Sequence, residues 1–303
     1  MDAKPDSTAT HDFDIEDVEY LRHGTGTLLM RMYKPRGDGP FPLLVDVHGG
    51  AWCLNDRTTE AVRHRYLASH GVAVAVPDFR GGREGAYPRS VSDINFAVRW
   101  AKSHAAKVKS SAEIVGLAGQ SSGAQQAMLA AMKPDDPRYA AVELFSDMSN
   151  VDASVRCVVM SWPVINPLGR YRFARQELDK PNPPPWPRGI IERHDLYWGS
   201  EASMADGSPL LILERGENVR MPPAIWFQSR GDFLHDYKDP SSSFGGGEAS
   251  RFAEAYRTAG GEITLEYFDG PASTGHTPDL TQCGAIFPKM VAFVAKHLRV
   301  EGS

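Results

Sequence analysis

Three cysteines in 303 residues, Cys53, Cys157 and Cys283, are too few and too scattered for a disulfide framework. They read as buried, reduced thiols of a cytoplasmic protein. Positive charge is also scarce. Lys and Arg number 33 against 38 Asp and Glu, a net charge of −5, which argues against the basic patch of a nucleic-acid binder. No apolar run approaches the length of a membrane span. Met1 to Asp17 is polar and acidic, with no basic stretch leading into an apolar one, so no secretory leader is expected. The histidines show no His-x-x-x-His spacing and no paired carboxylates accompany them, so no metal is expected. Gly24-Thr25-Gly26 lacks the third glycine and following helix of a nucleotide loop, so no cofactor is expected either.

What is present is an alternation of short apolar runs and helix-period segments. Strands are expected at Val18–Leu21, Leu28–Tyr33, Pro42–Val47, Val72–Pro77, Ile114–Ala118, Val155–Trp162, Ala224–Ser229 and Glu262–Phe268. Helices are expected over 58–70, Val91–His104, Ala124–Met132, Ser250–Ala259 and Gly284–His297. This order predicts an α/β fold with a mostly parallel central sheet flanked by helices. Length and hydrophobic content suffice for one domain over 1–303. Residues 167–222, rich in proline, aromatics and charge, interrupt the alternation. So long a segment between two strands is usually functional, and it is expected to lie over the site as a cap.

Residues 119–123 read Gly-Gln-Ser-Ser-Gly between an expected strand and an expected helix. In that context Gly-x-Ser-x-Gly is a nucleophile elbow, with Ser121 exposed on a tight turn. Gly119 and Gly123 lack side chains where strand and helix approach too closely for a Cβ. A serine hydroxyl needs a base, the base an orienting group, and the developing oxyanion needs preformed donors. His48-Gly49-Gly50-Ala51-Trp52 follows the Pro42–Val47 strand and offers Gly49, Gly50 and Ala51 as an oxyanion loop. Ser122 adds the backbone N–H after the nucleophile, and only that N–H is assigned a role. His48 is read as a residue that fixes the loop rather than as a base. Asp232, just past the Ala224–Ser229 strand, is the expected acid, preferred over Asp236 for its nearness to the strand end. His276, in the loop after the last strand, completes the order Ser, Asp, His and is the expected base.

With those residues in place, the chain resembles the α/β-hydrolase superfamily over 18–299. Within it the likeness is to hormone-sensitive-lipase-like esterases and to kynurenine-formamidase-like and feruloyl-esterase-like carboxylesterases with His-Gly-Gly-x-Trp. Pro77-Asp78-Phe79-Arg80 through Tyr87-Pro88 and Asp93 to Trp100 resembles the lipase-like block after the fourth strand. Gly231-Asp232-Phe233-Leu234-His235-Asp236 resembles that family's run into its catalytic aspartate, whose first aspartate is the acid. Ala51 stands where the lipase-like group has a third glycine, and Phe79 replaces a tyrosine. The resemblance implies a cofactor-independent serine hydrolase of small-molecule esters, and dimers are frequent among such relatives.

The same machinery serves amidases and formamidases, since the motif does not distinguish a leaving oxygen from a leaving nitrogen. Some members of the superfamily use the pocket as a receptor, but these typically lose a triad residue. Charges throughout 167–222, from Arg170 to Arg193, are at odds with the broad apolar face of a lipase lid, so small or medium soluble esters are expected. Trp186, Tyr197 and Trp198 either wall the pocket or pack the segment onto the core.

Overall fold

The computed structural model describes residues 8–24, 26–148, 151–232, 234–268 and 285–299. β1 (Phe13–His23) and β2 (Gly26–Pro35) form an antiparallel hairpin. β2 lies antiparallel to β4 (Ala73–Pro77), which pairs in parallel with β3 (Leu43–Val47). β5 (Val115–Gln120), β6 (Val158–Ser161), β7 (Ala224–Ser229) and β8 (Ile263–Phe268) extend the parallel part. The eight strands run in the order β1-β2-β4-β3-β5-β6-β7-β8.

Helices cover both faces because side chains alternate along each strand. Leu43, Val45, Leu117, Val158 and Trp226 join one buried cluster with residues of α2 (Arg89–Ser103), α3 (Ser122–Met132) and α8 (Glu248–Thr258). Leu44, Val74, Ala118, Val159 and Ile225 join the opposite one, with α1 (Ala61–Ser69) and α9 (Phe287–His297). On this second face Asp46 is an exception to the apolar pattern. Its carboxylate accepts from Arg63 at 2.9 Å and from His64 at 3.1 Å, with all three side chains buried.

Two regions differ from expectation. The hairpin strands are longer than their apolar runs, because ion pairs across the hairpin hold the added residues: Asp17 with Arg31, Glu16 with Lys34 and Asp14 with Arg36. Residues 167–222, for which no helix was expected, hold four: α4 (Pro167–Leu178), α5 (Trp186–Trp198), α6 (Glu201–Asp206) and α7 (Pro209–Glu214). Their starts follow local chemistry. Asn166, Ser200 and Ser208 each accept a hydrogen bond from the backbone N–H three residues on, and proline opens α4 and α7. Among the described residues no helix is long and apolar enough to cross a membrane.

Candidate active site

Because β3, β5 and β7 run parallel, the segments that leave their carboxyl ends emerge on one edge of the sheet. After β5, Ser121 adopts φ 53° and ψ −120°, a strained conformation for a residue with a Cβ. Its backbone is held on both sides: Ser121 N–H donates to Ser161 at 2.9 Å, and its carbonyl accepts from Val164 at 3.1 Å and Gln125 at 3.2 Å. A Cβ on Gly119 would lie 2.6 Å from the Ala124 nitrogen, and one on Gly123 2.2 Å from the Val47 carbonyl oxygen. Both elbow glycines are therefore required by close approach.

After β3, the chain turns through Gly50 (φ 126°), Ala51 (φ 49°) and Trp52 (φ 61°). A Cβ on Gly50 would sit 2.1 Å from the Leu54 carbonyl oxygen, and that carbonyl contact leaves no room for a side chain. A Cβ on Gly49 would lie 3.3 Å from Ser121 Cβ, so this loop runs beside the serine. The N–H groups of Gly50 and Ala51 donate to no acceptor among the described residues. Ser122 is the first residue of α3, where backbone N–H groups lack intrahelical partners and carry partial positive charge. His48 Nδ1 donates to the Gly49 carbonyl at 2.8 Å and its ring stacks on Phe79, so this histidine secures the loop.

After β7 stands Asp232. Its Oδ2 accepts from His235 Nδ1 at 2.6 Å, and its Oδ1 accepts from the Leu234 N–H at 3.0 Å. On the other side of the ring, His235 Nε2 lies 2.9 Å from Ser121 Oγ. With Nδ1–H donating to the carboxylate, Nε2 is the acceptor for the serine hydroxyl. Burial lowers the His235 pKa below the usual histidine value, while the Asp232 hydrogen bond and charge push the other way. The ring is thus neutral at neutral pH and able to take a proton. Asp236 meets neither ring nor serine, and burial followed by the charge of Asp232 raises its carboxyl pKa.

The expected base, His276, lies outside the described residues, within 269–284. His235 entered the sequence reading only as part of the run around Asp232, with no role of its own. A signal was there: Asp-x-x-His just past a strand end. The Asp232 carbonyl accepts from the His235 N–H at 3.1 Å and from the Asp236 N–H at 2.6 Å, so one turn of chain brings carboxylate and ring together.

Ser121 and His235 open into a cavity of about 320 Å³. Gly49, Gly50 and Ala51 form one side, and Leu54, Trp162, Ile190 and Leu234 add apolar surface. Arg170 of α4 and Arg193 of α5 also line it. Tyr197 and Trp198 do not wall the cavity. They are buried and pack on Trp52 at ring distances of 5.5 and 5.4 Å, tying α5 to the loop after β3. Among the described residues no cluster of three or more His, Cys, Asp or Glu could hold a metal ion.

The strand order, the elbow after β5 and the turns after β3 and β7 define the α/β-hydrolase fold. The BD-FAE family profile matches residues 30–181, half of the chain, and the protein belongs to that family. It is similar to the probable carboxylic ester hydrolase LipM of Mycobacterium tuberculosis, 27% identical over 72% of this chain and 48% of that protein. It is also similar to the versiconal hemiacetal acetate esterase of Dothistroma septosporum, 28% identical over 73% of this chain and 66% of that one. The chain thus spans about half the length of the first of these relatives. In structure it resembles a hyperthermophilic esterase of the archaeon Pyrobaculum calidifontis, with a TM-score of 0.70 at 21% identity over 93% of this chain and 85% of the other. The thermostable carboxylesterase EstE1 from a metagenomic library superposes with a TM-score of 0.71 at 19% identity, over 96% and 92% of the two chains.

Proposed function

We propose that this protein is a serine esterase that cleaves carboxylic esters of small or medium soluble substrates through an acyl-enzyme. The observation that carries the reading is the continuous hydrogen-bond chain Ser121–His235–Asp232, at 2.9 and 2.6 Å. In this reading Ser121 Oγ attacks the ester carbonyl while His235 Nε2 takes its proton. Asp232 holds the ring and stabilises the imidazolium that forms. The N–H groups of Gly50, Ala51 and Ser122, with Gly49 shaping the loop, receive the oxyanion. The imidazolium then protonates the departing alcohol, and water, deprotonated by the same ring, releases the acid.

The esterase names of the relatives support the same chemistry. Residues 167–222 serve in this reading as the cap of a single hydrolase domain over 1–303, since α4 and α5 supply Arg170, Ile190 and Arg193 to the cavity. Two guanidinium groups in the wall suit dissolved substrates rather than an oil surface.

The test is a hydrolysis panel of p-nitrophenyl esters of graded acyl length, a triglyceride emulsion and an N-formyl aryl amide, with Ser121→Ala as the blank. Short esters should be cleaved fastest, with no jump in rate at the emulsion threshold, and a fluorophosphonate should label Ser121 alone. Replacing each histidine assigns the base: His235→Ala should abolish turnover and His276→Ala should leave it measurable. The reverse ranking gives the role to His276, and full labelling of Ser121→Ala overturns the reading.

A further inference from the structure

Helix α4 carries Arg170 into the wall of the cavity that holds Ser121 and His235. The residue is 4% exposed, its Nη1 is buried without a hydrogen-bond partner, and its guanidinium makes no ion pair among the described residues. Burial pushes its pKa down to about 10, so it remains charged at neutral pH. The groups that would ordinarily answer that charge are engaged elsewhere. Asp232 accepts from His235 and Leu234, and the Tyr237 hydroxyl donates to the Asn166 carbonyl. Arg193, in the same wall, adds a second positive charge, and its Nη1 donates to the Gly189 carbonyl. Glu60 is the one acidic side chain lining the cavity among the described residues. Its Oε2 lies 3.8 Å from Arg63 Nη1, and Oε1 has no partner.

A buried guanidinium without an acceptor is unfavourable. Its planar fork matches a carboxylate, which can accept two parallel hydrogen bonds from it. We propose that the natural substrate is an ester bearing a free carboxylate, which Arg170 receives inside the catalytic cavity with Arg193 beside it. This rests on the esterase reading above and narrows its substrate class to half-esters of short dicarboxylic acids or esters of hydroxy acids. The carboxylate supplies the missing acceptor and lowers the repulsion between the two guanidinium groups. An uncharged ester of the same shape leaves both as they are.

The experiment compares matched pairs on the wild-type enzyme. Mono-p-nitrophenyl succinate against p-nitrophenyl butyrate places the charge on the acyl side. 4-Acetoxybenzoate against its methyl ester places it on the leaving group. In at least one pair the charged member should have the higher kcat/KM, by roughly ten- to a hundredfold, the scale of a charge-assisted hydrogen bond. In Arg170→Met that ratio should collapse toward one, and Arg170→Lys, which keeps the charge without the fork, should fall between. A wild-type enzyme that favours the uncharged member in both pairs overturns the proposal, as does a ratio unchanged in Arg170→Met. Binding is read separately from turnover: monomethyl succinate, but not the uncharged methyl butyrate, should raise the melting temperature of the Ser121→Ala protein. If wild type cleaves no ester, the esterase reading fails, and the monomethyl succinate shift alone decides whether Arg170 holds a carboxylate. Absence of that shift overturns it.

Discussion

The backbone N–H of Trp52 donates to the side-chain oxygen of Ser122 at 3.1 Å, joining the turn after β3 to the helix that begins just beyond Ser121. The indole of the same tryptophan donates to Gln125 at 2.8 Å, so the loop is fastened to α3 twice. The Ser122 side chain is therefore a structural link, apart from the oxyanion role proposed for its backbone N–H. In Ser122→Ala the buried Trp52 N–H loses its acceptor, which costs about 1–3 kcal/mol. The expected outcome is a lower melting temperature and a kcat reduced by up to about tenfold, Ser121 being intact. Thermal denaturation alongside the p-nitrophenyl ester assay checks this, and an unchanged melting temperature would show that the contact contributes nothing.

Asp232 and Asp236 should separate cleanly on substitution. Asp232 holds the His235 ring at 2.6 Å, whereas Asp236 touches neither ring nor serine. Loss of an orienting carboxylate costs on the order of 10⁴ in kcat where the geometry is kept. Asp232→Asn should thus be nearly inactive and Asp236→Asn only mildly impaired, as measured by kcat on a short-chain ester. Equal losses would refute this assignment.

The acid limb of kcat/KM should lie below pH 6.5, the ordinary histidine value. The base must be neutral to take the serine proton, so activity rises through its pKa and is flat above it. Burial lowers the His235 pKa, Asp232 raises it through its hydrogen bond and charge, and Arg170 lowers it. Removing Arg170 should accordingly move the limb upward, and removing the Asp232 charge should move it downward. A limb above pH 7 in the wild type would be inconsistent with His235 as the base.

Asp46→Ala should be severely destabilising although it lies away from the cavity. It leaves Arg63 buried without its bidentate acceptor and takes the partner of His64 as well. Breaking a buried pair from one side costs about 3–5 kcal/mol. Urea denaturation should report a lower midpoint at an unchanged slope. A loss under about 1 kcal/mol would mean that the cluster contributes little to stability.

The elements that were legible in the sequence are those whose cause is local. β7 was expected at Ala224–Ser229 and runs over those residues, and α2 and α8 depart from their expected bounds by only one or two residues. In each, apolar periodicity spans the whole element. The hairpin was shortened because cross-strand ion pairs, not apolar side chains, hold its outer part. The helices of 167–222 were hidden because proline and charge obscured their period, although their capping residues stood in plain view.

The turn that carries Ser121 was determined by the sequence alone. Glycine at 119 and 123 and serine at 121 are demanded by a strand, a turn and a helix consecutive along the chain. Asp232 was singled out by its place at a strand end, and the structure sets its carboxylate against the His235 ring. The partner of Ser121 was decided by tertiary structure, since it depends on how the turn after β7 faces the turn after β5, 114 residues away in sequence. So was the charge of the cavity. Arg170 is one of sixteen charged residues in 167–222, nothing in the sequence sets it apart from the others, and only the docking of α4 over the carboxyl edge of the sheet buries it in the wall of the cavity that holds Ser121. Local chemistry dictates which backbone conformations a residue can take, but burial is a property of what packs against it.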